Sequence, residues 1–169
     1  MKKFVLLLGM ALFFHLGLNA NNQIEKYQAT FIYNFTRLVQ WPNLHNHTEF
    51  VIAVYGKNHS LTAELIASVG DRTVGGREIK VVEFSSLEEI GFCHMLFVPK
   101  NKIGQLKQIS NSLSNSPVLL VTEVQGSQPA ESVINLSIVG DKMGFHVNES
   151  LAKQRKLMLS SQLIEYSRK

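Results

Sequence analysis

The hydrophobic pattern divides the chain into an apolar leader and a long alternation of short periodic segments. Behind Met1-Lys2-Lys3, residues Phe4 to Leu18 are apolar almost without a break, His15 being the exception. Tyr27, Phe31, Phe35 and Leu38 then recur at helical spacing, and Ile24, Ile32 and Val39 widen the stripe. This predicts a helix capped at Asn21 or Asn22 and ended by Trp41-Pro42, because the residue before a proline is pushed out of the helical region.

Strand and helix signals alternate after that. Glu49–Tyr55 is rich in strand formers and stops at Gly56. Ser60 is placed to cap a helix carrying Leu61, Leu65, Ile66 and Val69, and Gly70 to Gly76 forms a loop or tight hairpin. Glu78–Phe84 predicts a strand. Ser85-Ser86 predicts the cap of a short helix through Glu89 and Ile90. Cys93–Val98 predicts a strand stopped by Pro99, Ile103–Leu113 a helix, and Pro117–Thr122 a further strand. The period then changes. Val133–Val139 alternates, with Ile134, Leu136 and Ile138 on one face; Gly140-Asp141-Lys142 turns the chain; Met143, Phe145 and Val147 alternate on the return. Asn148 or Ser150 is placed to cap a final helix with Leu151, Leu157, Leu159, Leu163 and Ile164. The expected fold is a single α/β domain: a mainly parallel sheet with helices on both faces, a C-terminal antiparallel hairpin and a last helix.

The leader changes the picture of where the protein works. A positive start, an apolar stretch of about 15 residues and a small residue at Ala20 describe a secretory signal peptide. The stretch falls short of the roughly 20 apolar residues a spanning helix needs. The expected cut lies between Ala20 and Asn21, leaving residues 21–169 as a soluble periplasmic domain. Leu18 stands three residues before the cut, so cleavage can shift by a residue or two, and an uncleaved anchor is the alternative. No Cys lies near the cut, which excludes lipid attachment there. The later apolar runs, Phe50–Tyr55, Met95–Val98 and Val118–Val124, are too short to span and read as buried strands.

The formal charge of +4 includes Lys2 and Lys3; without them 15 basic residues face 13 acidic ones, a net of +2. A balance that mild, in an exported chain, argues against nucleic acid as a partner. The basic residues are scattered apart from Lys153, Arg155 and Lys156, a candidate partner-contact patch whose alternative is a solvated helix face. Cys93 is the only cysteine, so no intrachain disulfide can form, and its apolar strand context reads as a buried inert thiol, with an intermolecular bridge or redox role as the alternative. Asn-x-Ser/Thr matches start at Asn34, Asn46, Asn58, Asn135 and Asn148; Asn135 falls in an expected core strand, and the set reads as chance.

Candidate chemistry is sparse. Gly70 to Gly76 lacks the Lys-Ser/Thr of a phosphate loop. His45 and His47 have no third ligand in their loop. Adjacent strand residues Cys93 and His94 would point to opposite faces, which argues against a nucleophile–base pair. His146 lies opposite Phe145 and is expected in solvent, and Ser160-Ser161 has no identifiable base. The residues therefore nominate no catalytic group, no metal ligand and no cofactor, and favour binding or regulation over catalysis. Trp41, at a helix end before Pro42, is open to two roles: core packing or the rim of a ligand pocket.

Three stretches resemble the YfiR-like periplasmic family. Ala29 to Pro42 is similar to the family's opening aromatic helix with its Trp-Pro pair. Cys93 to Val98 is similar to a family strand that often begins with Cys. Met143 to Asn148, followed by Leu157 to Ile164, resembles its closing strand with Phe-x-x-Asn and its Ser-Ser-containing helix. The resemblance implies a non-enzymatic, repressor-type regulator. Its partner would be the outer domain of an inner-membrane sensor or diguanylate cyclase, through which it would modulate cyclic di-GMP and biofilm growth. It would touch the membrane only through that partner and could form a homodimer. A small-ligand-binding module serving a sensor kinase or transporter is the alternative. Family members of this type can carry paired cysteines, and with Cys93 alone an intramolecular redox switch does not carry over.

Overall fold

The computed structural model describes residues 16–126, 128–139 and 142–167. In chain order, α1 (Leu16–Leu38) leads to β1 (Val39–Gln40), β2 (Glu49–Tyr55), α2 (Ser60–Val69), β3 (Thr73–Val74) and β4 (Arg77–Phe84). Then come β5 (Met95–Val98), α3 (Leu106–Ser112), β6 (Leu119–Thr122), β7 (Ile134–Val139), β8 (Lys142–Val147), α4 (Glu149–Gln154), β9 (Met158–Leu159) and α5 (Ser161–Tyr166). Seven strands form one sheet in the order β3-β4-β2-β5-β6-β7-β8. The five from β4 to β7 run parallel, and β3 and β8 close the two edges antiparallel.

Alternation along the central strands fills two cores. Phe50, Ile52 and Val54, with Met95, Phe97, Leu119 and Val121, face α1, α2, α4 and α5. Val51, Ala53 and Tyr55, with Leu96, Val98 and Leu120, face α3. Successive strand residues point to opposite faces, so strands covered on both sides read as unbroken apolar runs. The architecture is the expected one, with the parallel sheet, the β7–β8 hairpin and helices on both faces.

Several local expectations are corrected. Residues 1–15 of the leader lie outside the described residues, and α1 runs through Asn21 and Asn22, which therefore do not cap it in the uncut chain. It ends at Leu38, short of Trp41-Pro42, because Val39 and Gln40 pair with Leu159 and Met158. His59, one residue ahead of Ser60, caps α2 by accepting the Leu61 N–H at 3.2 Å. The segment after Phe84 is a turn, with the Glu89 carboxylate accepting the Ser85 N–H, and no helix forms there. The helix expected over Ile103–Leu113 begins as a 3-10 turn, Lys100–Gln105, before α3. Ile138, expected on the buried face with Ile134 and Leu136, is 44% exposed near the hairpin tip; of the expected turn, Gly140 and Asp141 lie outside the described residues and Lys142 opens β8.

The largest correction is at the C-terminus, where one helix was expected and two form. Arg155 closes α4, and Lys156 takes a left-handed backbone at φ 58°. The chain then pairs β9 with β1, so that Leu159 sits opposite Val39. Ser160 starts α5, its hydroxyl accepting the Leu163 N–H at 3.2 Å while its own N–H donates to Leu38 O at 2.9 Å. That cap gives the Ser160-Ser161 pair a structural use.

Candidate functional site

Trp41 is a core residue. It is 6% exposed, meets the Phe50 ring edge-on at 4.8 Å and donates its indole N–H to His94 O at 2.9 Å. Its place in the core cluster beside Phe50 favours packing over the pocket-rim role. Cys93 and His94 point to opposite faces as expected. Cys93 is buried in the α3-side core, where burial pushes its thiol pKa up to about 12. His94 stacks on Phe50 at 4.5 Å on the other side and accepts the Val51 N–H through Nδ1 at 3.0 Å. Burial first, and the neighbouring His47 second, lower its pKa to about 4. His45 is exposed, His47 stacks on the half-exposed Phe92, and His146 is exposed. Among the described residues, no three His, Cys, Asp or Glu side chains are grouped to hold a metal ion.

The basic cluster near the C-terminus does not form one patch. Lys153 and Lys156 are exposed, but Arg155 is 3% exposed. Its guanidinium turns inward and donates to Ser110 Oγ at 2.9 Å and to Leu113 O at 3.0 Å. These groups lie at the C-terminal end of α3, where helix carbonyls lack intrahelical partners and attract a cation. Arg155 is thus a buried tie between two elements, and the expectation of a solvated third charge is withdrawn.

Among the described residues, the surface concavities include the following. A cleft of about 320 Å³ lies between α4 and α5, with Lys153 and Glu149 beside Leu157, Leu159 and Ile164. A crevice of about 560 Å³ sits at the C-terminal ends of β2, β5 and β6, where α/β sheets often bind ligands. Its polar groups already hold one another: Gln28 donates to the Glu123 carboxylate, which also accepts the Lys100 N–H, and Ser60 donates to Glu25. A larger one, about 890 Å³, is a groove between α1, β8 and α5, lined by aromatic and aliphatic side chains with Arg37 and Lys142 among them.

Sequence reasoning found Lys153 but neither the cleft beside it nor this groove. Phe31, Phe35 and Phe145 were legible only as core, although their rings meet edge-on or tilted at the groove, Phe35 and Phe145 at 5.2 Å. The fact that Arg37 and Lys142 share a cavity depends on β8 folding back beside α1, which no local pattern signals.

A search among curated proteins found no match to the chain. The model of one family, described as YfiR/HmsC-like, matches residues 25–168, most of the chain. That span includes Trp41 and the β1–β9 pair, both cleft helices and the whole groove. The chain therefore belongs to the YfiR/HmsC-like family, periplasmic regulators of the cyclic di-GMP kind.

Proposed function

We propose that this protein is exported, cut near Ala20, and acts in the periplasm as a repressor-type regulator. It docks the outer domain of an inner-membrane signalling protein such as a diguanylate cyclase. Family membership supports the regulatory role. The observation that carries the docking surface is the cleft between α4 and α5. Leu157, Leu159 and Ile164 offer an apolar floor, Lys153 stands on the rim, and the neighbouring Met158 is 64% exposed. An apolar centre with a charged rim is the usual anatomy of a protein interface. Lys156, exposed on the turn that leaves α4, adds a second positive charge for an acidic partner surface.

The test is recovery of the tagged, exported protein from host membranes. An inner-membrane protein with a periplasmic domain should be retained by the wild type and lost from Lys153→Glu with Lys156→Glu. Retention of the same partner at wild-type strength by that variant at low salt would remove the cleft as the docking surface. Recovery of no membrane signalling protein would remove the regulatory reading. One feature favours a second reading, a small-ligand module serving a sensor kinase or transporter: the 890 Å³ groove.

A further inference from the structure

The groove between α1, β8 and α5 combines two properties that point to one ligand chemistry. Its body is apolar: Phe31, Leu38, Met143 and Phe145 line it, with the buried Phe35 packed against Phe31 and Phe145 behind them. Arg37 on α1 and Lys142 on β8 bring positive charge to it from two different elements, and both are exposed. The ion pair between Lys80 and Glu49 lies elsewhere, and among the described residues neither Arg37 nor Lys142 is held in one. The amide of Gln162 is engaged with Tyr166 Oη at 2.9 Å, so the walls on α5 are already organised. The volume of about 890 Å³ lies within the range of small-molecule sites, roughly 300–1,000 Å³.

We propose that this groove binds an amphipathic carboxylate, a molecule with one anionic head and an apolar body of fatty-acid or aromatic-acid type. The aromatic rings take the body, where burial of apolar surface drives association. Arg37 and Lys142 take the head, since charge-assisted hydrogen bonds to a carboxylate are the strong ones. A neutral or cationic amphiphile would gain only the first contribution. The groove wall includes α5, the helix that also brings Ile164 to the docking cleft, and Leu38, whose carbonyl holds the Ser160 N–H at the start of α5. An occupant would therefore touch the element that shapes the cleft.

The experiment titrates the purified mature protein with decanoate and with decylammonium, both below the concentration at which they form micelles, by calorimetry. Decanoate should bind with one site per chain and decylammonium about tenfold or more weaker. Arg37→Gln with Lys142→Gln should weaken decanoate by about tenfold or more while leaving the melting temperature unchanged, because both side chains are exposed. Asn34→Trp, an exposed substitution that fills the groove, should abolish binding in a folded protein. Equal binding of the two amphiphiles, wild-type decanoate affinity in the double variant, or no saturable binding would each overturn the proposal. So would a dimer of the wild type that Asn34→Trp dissociates, with no decanoate bound, since a second copy would then occupy the groove. The titration needs no partner, so its failure leaves the docking cleft untouched.

Discussion

The indole N–H of Trp41 and the carbonyl of His94 form a 2.9 Å hydrogen bond, and the same carbonyl accepts the Leu119 N–H. The bond ties the segment after α1 to the residue before β5, which places Trp41 inside the core. Trp41→Ala should cost on the order of 3 kcal/mol or more, from lost burial and the cavity it leaves. Trp41→Phe should cost less, because Leu119 still satisfies the carbonyl and no donor is orphaned. Denaturant unfolding of the two variants measures both, and a Trp41→Ala protein as stable as wild type would exclude the core assignment.

Arg155 and its two lysine neighbours should separate cleanly. Arg155→Ala removes the donors to Ser110 Oγ, Ser110 O and Leu113 O; Leu113 O keeps the Ser116 N–H, so the loss falls on the Ser110 groups and amounts to about 1–3 kcal/mol. Lys153→Ala should stay within about 0.5 kcal/mol, as exposed substitutions usually do. Removing all three charges together would mix a loss of stability with any loss of docking, whereas the two lysines alone probe docking in a stable domain. Thermal unfolding of the single variants checks the order; equal melting temperatures would show Arg155 to be dispensable.

The stability of the protein should fall in mild acid through His94. Its folded pKa, about 4, lies below the ordinary value near 6.5, so the unfolded chain takes up a proton that the folded one resists. The stabilisation is complete above about pH 6.5 and is lost as pH falls from there towards 4, on the order of 3 kcal/mol at full extent. The proton would also disrupt the bond in which Nδ1 accepts the Val51 N–H. His94→Gln should be less stable at pH 7 yet lose less across that window. Parallel pH profiles of unfolding free energy in the two proteins would show that another group controls the acid response.

Cys93 should be chemically silent in the folded protein. Its thiol is 3% exposed and held protonated by a pKa near 12, so almost no thiolate is present to react. A thiol reagent should label it only at the rate of unfolding, and Cys93→Ala should regulate as wild type does. Rapid labelling under native conditions, or a disulfide-linked dimer, would contradict this.

How far the sequence could be read depended on the range of the interactions involved. The central strands were legible because burial on both faces demands unbroken apolar runs, as at Phe50–Tyr55 and Met95–Val98. The hairpin was legible because Ile134, Leu136 and Phe145 alternate with polar residues. The split of the last helix was not, because β9 exists only by pairing with β1, more than a hundred residues earlier. The candidate site was legible to a smaller degree: Lys153 stands out in the charge pattern, but its cleft requires α4 and α5 to be separate helices.

The sequence by itself determined the layered α/β fold and the opposite facing of Cys93 and His94, since both follow from local periodicity and the strict alternation of strand side chains. Tertiary structure alone decided that Trp41 is core, that Arg155 turns inward to α3, and that Arg37 and Lys142 share one groove. Those outcomes depend on which distant backbone carbonyls and side chains come within a few ångströms. For a charged side chain such as Arg155, a desolvated position becomes tolerable only when that distant chain supplies the acceptors.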